Sequence, residues 1–173
     1  MTESGYLGFM ESIRRTRYGV RLLCIMDKLI VLVTFVSYGL FLLCLFLGNN
    51  KELVPAIFVP AVSFLILTAI RSRINAPRPY EVYGFEPVIE KDTMGRSFPS
   101  RHVFSIFCIA GVMFLNDAFV AMPMFLLGVL LAILRVLGGV HFIKDVVAGA
   151  LCGILFALVG DYLMGFVPYF GTM

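Results

Sequence analysis

The sequence predicts an all-α fold: a polytopic membrane helical bundle of about five spanning helices, preceded by an N-terminal amphipathic interfacial helix. Three observations predict it. Hydrophobic residues make up 60% of the 173-residue chain, charged residues only 14%, and the mean hydropathy is +0.96, well beyond what a soluble domain needs to fill a core. The apolar residues fall in long runs approaching the roughly 20 residues that cross a hydrocarbon layer of about 30 Å at about 1.5 Å per residue. The polar residues gather in short clusters between those runs instead of alternating within them.

Residues 1–28 mix Tyr6, Leu7, Phe9, Met10, Ile13, Leu22 and Leu23 with Arg14, Arg15, Arg17 and Arg21, the composition of an amphipathic segment lying among headgroups. This segment is the first of two units; residues 29–173 form the membrane-embedded second. Residues 29–47 carry no charge and are the clearest span, closed by the polar turn Gly48-Asn49-Asn50-Lys51-Glu52. Residues 53–70 form the next span despite Pro55 and Pro60, which membrane helices tolerate. From Arg71 to His102 the chain is a long polar loop, punctuated by Pro77, Pro79 and Pro87 and carrying Tyr80, Tyr83 and Phe85 for an interface. A third span starts near Ser100 and closes at Asn116-Asp117, a fourth covers residues 118–134, and a fifth runs from near Val146 past Gly160. Ala148, Gly149, Ala150 and Gly153 suit that last helix to close packing. Cys24, Cys44, Cys108 and Cys152 stand singly, which argues against zinc and against a disulfide framework. The first apolar run lacks a small-residue cleavage site, so no cleaved signal is expected.

Counting spans brings the end of the second, the start of the third and the hairpin between the fourth and fifth to one membrane face. His102 and His141, the only histidines in the chain, fall on that face. So do three polar clusters: Arg71 to Pro79 with Arg78, Pro99-Ser100-Arg101-His102, and Arg135 with His141 and Asp145. Arginine presents a planar fork of donors that fits phosphate oxygens, so Arg71, Arg78 and Arg135 together want an oxyanion. Ser100, at a helix start, adds a hydroxyl and first-turn N–H groups to such a cradle, or serves as a plain N-cap. The four-residue spacing of His141 and Asp145 lets the carboxylate hold one ring nitrogen and leave the other free. His141 is then a nucleophile toward phosphorus and His102 an acid for the leaving group. No metal is required, because arginines supply the charge stabilisation. Arg73, Lys91 and Arg96 read as lipid-headgroup anchors, and Glu81, Glu86, Glu90 and Asp92 as a solvated loop face.

These residues resemble the type 2 phosphatidic acid phosphatases, a membrane superfamily related to vanadium haloperoxidases, with signatures K-x6-R-P, P-S-G-H and S-R-x5-H-x3-D. The matching stretches are Arg71 to Pro79, Pro99 to His102 and Leu134 to Asp145, in the same order and with the same internal spacings. The resemblance implies His141 as nucleophile, Asp145 as its orienting partner, His102 as general acid, and Arg71, Arg78, Ser100 and Arg135 as phosphate-binding groups, without a cofactor. Three positions depart from the pattern. Arg71 replaces lysine, Leu134 replaces serine, and Arg101 replaces the glycine of the second signature, which adds a candidate substrate-binding cation and inclines the site toward a pyrophosphate.

The expected partners are the lipid bilayer and a membrane lipid phosphate, such as phosphatidate or an isoprenoid pyrophosphate, and not nucleic acid. The cations of residues 1–28 predict a cytoplasmic site, whereas the resemblance implies an extracytoplasmic one. A non-catalytic lipid-binding or lipid-moving protein is the rival reading; it would have no use for two histidines and Asp145.

Overall fold

The computed structural model of the chain describes residues 3–89 and 94–165. They form seven helices: α1 (Glu3–Arg15), α2 (Gly19–Leu47), α3 (Leu53–Ile74), α4 (Pro79–Tyr83), α5 (Arg101–Asn116), α6 (Ala118–Leu137) and α7 (Ile143–Gly165). Four of them, α2, α3, α6 and α7, are long and apolar enough to cross a membrane. Their outer surfaces carry large exposed apolar side chains such as Leu32, Phe35, Leu65, Leu126 and Leu151, the pattern of helices solvated by lipid.

The fifth apolar helix, α5, has only 16 residues, about 24 Å at 1.5 Å per residue. It is the centre of the bundle, buried continuously from Ile106 to Met113 among α2, α3, α6 and α7. Its tightest neighbour is α7. A Cβ at Gly153 would stand 2.7 Å from the Phe104 carbonyl oxygen, and one at Gly149 would stand 2.7 Å from that of Ser100. The small residues of the last span therefore do the work expected of them, letting two backbones approach where side chains would hold them apart.

The N-terminal region differs from the expectation. Residue 28 is not a structural boundary: α1 ends at Arg15, and the spanning helix α2 already begins at Gly19. The apolar run in the sequence is interrupted by Arg21, Asp27 and Lys28, but the helix continues through them, with Asp27 buried against a cation from α6. Helix α1 also does more than float among headgroups. Tyr6 and Met10 are buried, and the Tyr6 ring packs against Tyr83, Phe85 and Phe142, so part of its apolar face covers protein.

Candidate active site

The C-terminal ends of α3 and α6 and the N-terminal ends of α5 and α7 meet at one end of the bundle. There a cavity of about 420 Å³ is walled by Arg71, Arg78, Arg96 and Arg101, by both histidines, and by Thr68, Asn75 and Met94. Among the described residues no carboxylate lines it, so it is a pocket of excess positive charge.

Arg71, in the last turn of α3, is buried and donates from Nη1 to the carbonyls of Pro99 and Ser97 and from Nη2 to that of Arg96. Arg78 is equally buried and donates from Nε to the Gly95 carbonyl and from Nη1 to the Val140 carbonyl, both at 3.1 Å. Neutral carbonyls fix the two guanidinium groups without cancelling their charge. The loop that supplies those carbonyls is organised by Glu81, whose carboxylate accepts from the backbone N–H of Arg78 at 2.7 Å and of Gly95 at 2.9 Å. Glu81 was expected on a solvated face; its acceptor capacity is instead spent on two backbone donors at the base of the cavity. Gly95 has φ +66°, and a Cβ there would meet Asn75 Oδ1 at 2.4 Å, so a side chain at this turn would be strained and would displace Asn75. Glu90, Lys91 and Asp92 lie outside the described residues.

His141 and Asp145 do meet, though not as neighbours on one helical face. Helix α7 starts at Ile143; His141 precedes it, in the turn that Gly139 makes possible with φ +76°. The Asp145 carboxylate folds back over that turn. Its Oδ2 lies 3.5 Å from His141 Nδ1 and accepts the Phe142 backbone N–H at 3.0 Å. Ser97 completes the group: its hydroxyl donates to Asp145 Oδ2 and lies 3.3 Å from His141 Nδ1. With Nδ1 turned to this trio, Nε2 is the nitrogen left for chemistry, and His141 forms part of the cavity wall. Burial lowers the His141 pKa to about 4, helped by the charge of Arg78 and opposed by Asp145, so the imidazole is neutral at ordinary pH.

Ser100 is the N-cap residue of α5 but makes no side-chain capping bond. Its Oγ is buried without a hydrogen-bond partner, while its backbone N–H donates to the Asp145 carbonyl at 2.8 Å. A buried hydroxyl left unsatisfied is costly, and the plain capping role is not the one it plays. Arg101 lies with its guanidinium carbon 5.3 Å from the centre of the Phe64 ring. It and His102 stand between the polar cavity and a second, apolar slot of about 190 Å³ lined by Val31, Phe35, Phe64, Ile106 and Leu131.

Three expected site residues, Ser100, Asp145 and Arg135, do not line the cavity, and Arg135 has an acidic partner. Its Nε lies 2.8 Å from Asp27 Oδ1 and its Nη2 donates to Oδ2 at 3.0 Å. Asp27, Glu81 and Ser97 carried no signal in the sequence, since each acts through a partner that only folding brings near. Arg96, expected to anchor headgroups, lines the cavity.

A family model described as the PAP2 superfamily matches residues 52–167. The crystal structure of LpxE from Aquifex aeolicus is similar with a TM-score of 0.64 and 25% identity, over 83% of this chain and 92% of that one. That of a transmembrane PAP2-type phosphatidylglycerolphosphate phosphatase from Bacillus subtilis is similar in fold, with a TM-score of 0.58 and 21% identity over 95% and 94%. A search of curated proteins finds no significant match.

Proposed function

This chain belongs to the PAP2 superfamily and is a phosphatase built into the membrane, and from that premise we propose that it hydrolyses a lipid phosphate monoester or pyrophosphate through a phosphohistidine. The observation that carries the proposal is His141: a neutral imidazole, pinned at Nδ1 by Asp145 and Ser97, on the wall of a cavity whose other charged walls are arginines.

In the proposed reaction His141 Nε2 attacks phosphorus in line, the bond from phosphorus to the leaving oxygen breaks, and His102 gives that oxygen its proton. Water then attacks the phosphohistidine, His102 takes a proton from it, and the P–N bond breaks to release phosphate and regenerate His141. Arg71, Arg78 and Arg101 face the equatorial oxygens and balance the developing charge, which is where such sites gain most of their rate. The buried Ser100 hydroxyl and the first turn of α5 supply further donors. Asp145 holds the proton on Nδ1 throughout and stabilises the cation formed when Nε2 bonds to phosphorus.

The apolar slot beside Arg101 and His102 supports a lipid as substrate: it offers an alkyl chain a place next to the phosphate cavity, within reach of the bilayer. Release of phosphate from a panel of purified lipid phosphates and pyrophosphates, in EDTA, tests the proposal. Turnover in EDTA that vanishes in His141→Ala is expected. Turnover that survives in the variant sinks the assigned nucleophile, and phosphate binding without turnover favours the non-catalytic lipid-binding reading.

A further inference from the structure

The polar cavity holds more positive charge than one phosphoryl group needs. Among the described residues four arginines line it, Arg71, Arg78, Arg96 and Arg101, and no carboxylate does. A phosphate monoester carries about −1.5 to −2 charges at neutral pH, which the buried Arg71 and Arg78 already match. Arg96 and Arg101 are exposed, and like charges gathered in one concave site repel one another unless an anion lies between them.

Arg101 is also placed differently from the others. It stands where the family signature has glycine, and together with His102 it lines both the polar cavity and the apolar slot of about 190 Å³. That slot runs on, through the shared residues Phe35, Phe64, Ser105 and Ile109, into a groove of about 530 Å³ between α2, α3 and α5. A hydrocarbon chain lying in the slot therefore meets Arg101 and His102 before its head reaches the cavity and His141. The Arg101 guanidinium carbon is 5.3 Å from the centre of the Phe64 ring; such a contact uses the charge of the group and not its N–H fork, which an oxyanion can take. The order outward from His141 is first Arg71 and Arg78, then Arg101 with His102, then apolar surface. A lipid diphosphate presents the same order: terminal phosphoryl, inner phosphoryl, hydrocarbon.

We propose that Arg101 is a specificity-determining residue that also grips the inner phosphoryl group of a lipid diphosphate, so that the enzyme favours diphosphates over monoesters; this rests on the reading of the cavity as a phosphatase site. When His141 Nε2 attacks the terminal phosphorus, the bond from that phosphorus to the bridging oxygen breaks and its electron pair stays on the oxygen. The leaving group is a lipid monophosphate, whose new charge Arg101 stabilises, and water then releases inorganic phosphate from His141. An alkoxide leaving from a monoester has no such stability and needs the proton of His102.

The test uses the full-length protein in detergent with farnesyl diphosphate and farnesyl phosphate, which share one hydrocarbon chain. Wild type should favour the diphosphate at least tenfold in kcat/KM, and Arg101→Gln should cut that preference at least tenfold. Because the preference is a ratio within one sample, partial unfolding of the variant leaves it unchanged. A wild type without the preference, or a variant that keeps it, overturns the proposal. Calorimetry with the methylene-bridged diphosphonate and the phosphonate of the same chain decides without turnover: Arg101→Gln should weaken the diphosphonate at least tenfold more than the phosphonate, and equal weakening overturns the proposal. A wild type that binds both analogues but cleaves neither ester defeats the catalytic reading alone, since binding still decides the place of Arg101. A wild type that binds neither removes both.

Discussion

Tyr6 and His141, 135 residues apart in the chain, are joined by a hydrogen bond of 3.1 Å from the tyrosine hydroxyl to the histidine carbonyl. The first helix is thereby fastened to the backbone of the proposed nucleophile. Tyr6→Phe should cost about 0.5–1.5 kcal/mol of stability, the net worth of one hydrogen bond. Tyr6→Ala also empties the space of a fully buried ring and should cost about 3–5 kcal/mol. Unfolding followed in detergent, with turnover measured alongside, checks both; a Tyr6→Ala protein as stable as wild type would show that α1 is not part of the folded core.

Removing the proposed general acid should be less severe than removing the nucleophile. His102→Ala should lower kcat by about 10²–10⁴, the usual contribution of a positioned proton donor, and the loss should shrink for substrates with better leaving groups. A loss that ignores the leaving group would assign His102 to binding.

Ser97 and Asp145 act on His141 through its Nδ1. Ser97→Ala removes a hydrogen bond to a carboxylate, worth about 1.5–3 kcal/mol, and should reduce kcat by about 10–150-fold if all of it is expressed in the transition state. Asp145→Asn should be the more damaging, because an amide can stabilise the wrong tautomer. Equal and small effects of both would mean that His141 is oriented by packing alone.

The acid side of the pH profile follows from the burial of His141. Its folded pKa, about 4, lies below the value near 6.5 of an unfolded chain, so between those values the unfolded state binds more protons. Stability from this group is complete above pH 6.5 and declines as the pH falls through 6.5 toward 4. Activity, which needs the neutral ring, should hold down to about pH 5 and fall through about pH 4 in kcat/KM for the free enzyme. A loss of kcat/KM centred near 6.5 would contradict a buried, neutral His141.

Gly153 tests the packing that carries the site. A Cβ there meets the Phe104 carbonyl oxygen at 2.7 Å and the Cys108 nitrogen at 2.9 Å, both backbone atoms that cannot swing aside. Gly153→Ala should destabilise by about 1–3 kcal/mol, with part of the strain passed along α5 to Ser100. An unaltered unfolding midpoint would mean that α5 and α7 have room to separate.

The helices and the residues that line the cavity were legible in the sequence for a physical reason. A membrane span is a property of a single contiguous run, and Arg71, Arg78, His102 and His141 sit beside span ends, where chain order alone sets the face. Asp27 and Ser97 were not legible. Each is an ordinary residue locally, and its meaning lies in a partner 108 or 48 residues away. The start of α2 was hidden for the same reason, because Asp27 looks like a helix boundary until Arg135 is placed beside it. His141 and Asp145 were paired correctly by spacing, although the turn at Gly139, and not a helical face, brings them together.

The carbonyl oxygens that steady Arg71 and Arg78 have a kinetic consequence. A pair of guanidinium groups already held by backbone carbonyls is pre-arranged for an anion, and in the proposed reaction that anion is also the product, inorganic phosphate. On the proposed reading, added inorganic phosphate should therefore inhibit lipid hydrolysis by competing with the substrate, and turnover indifferent to added phosphate would contradict it.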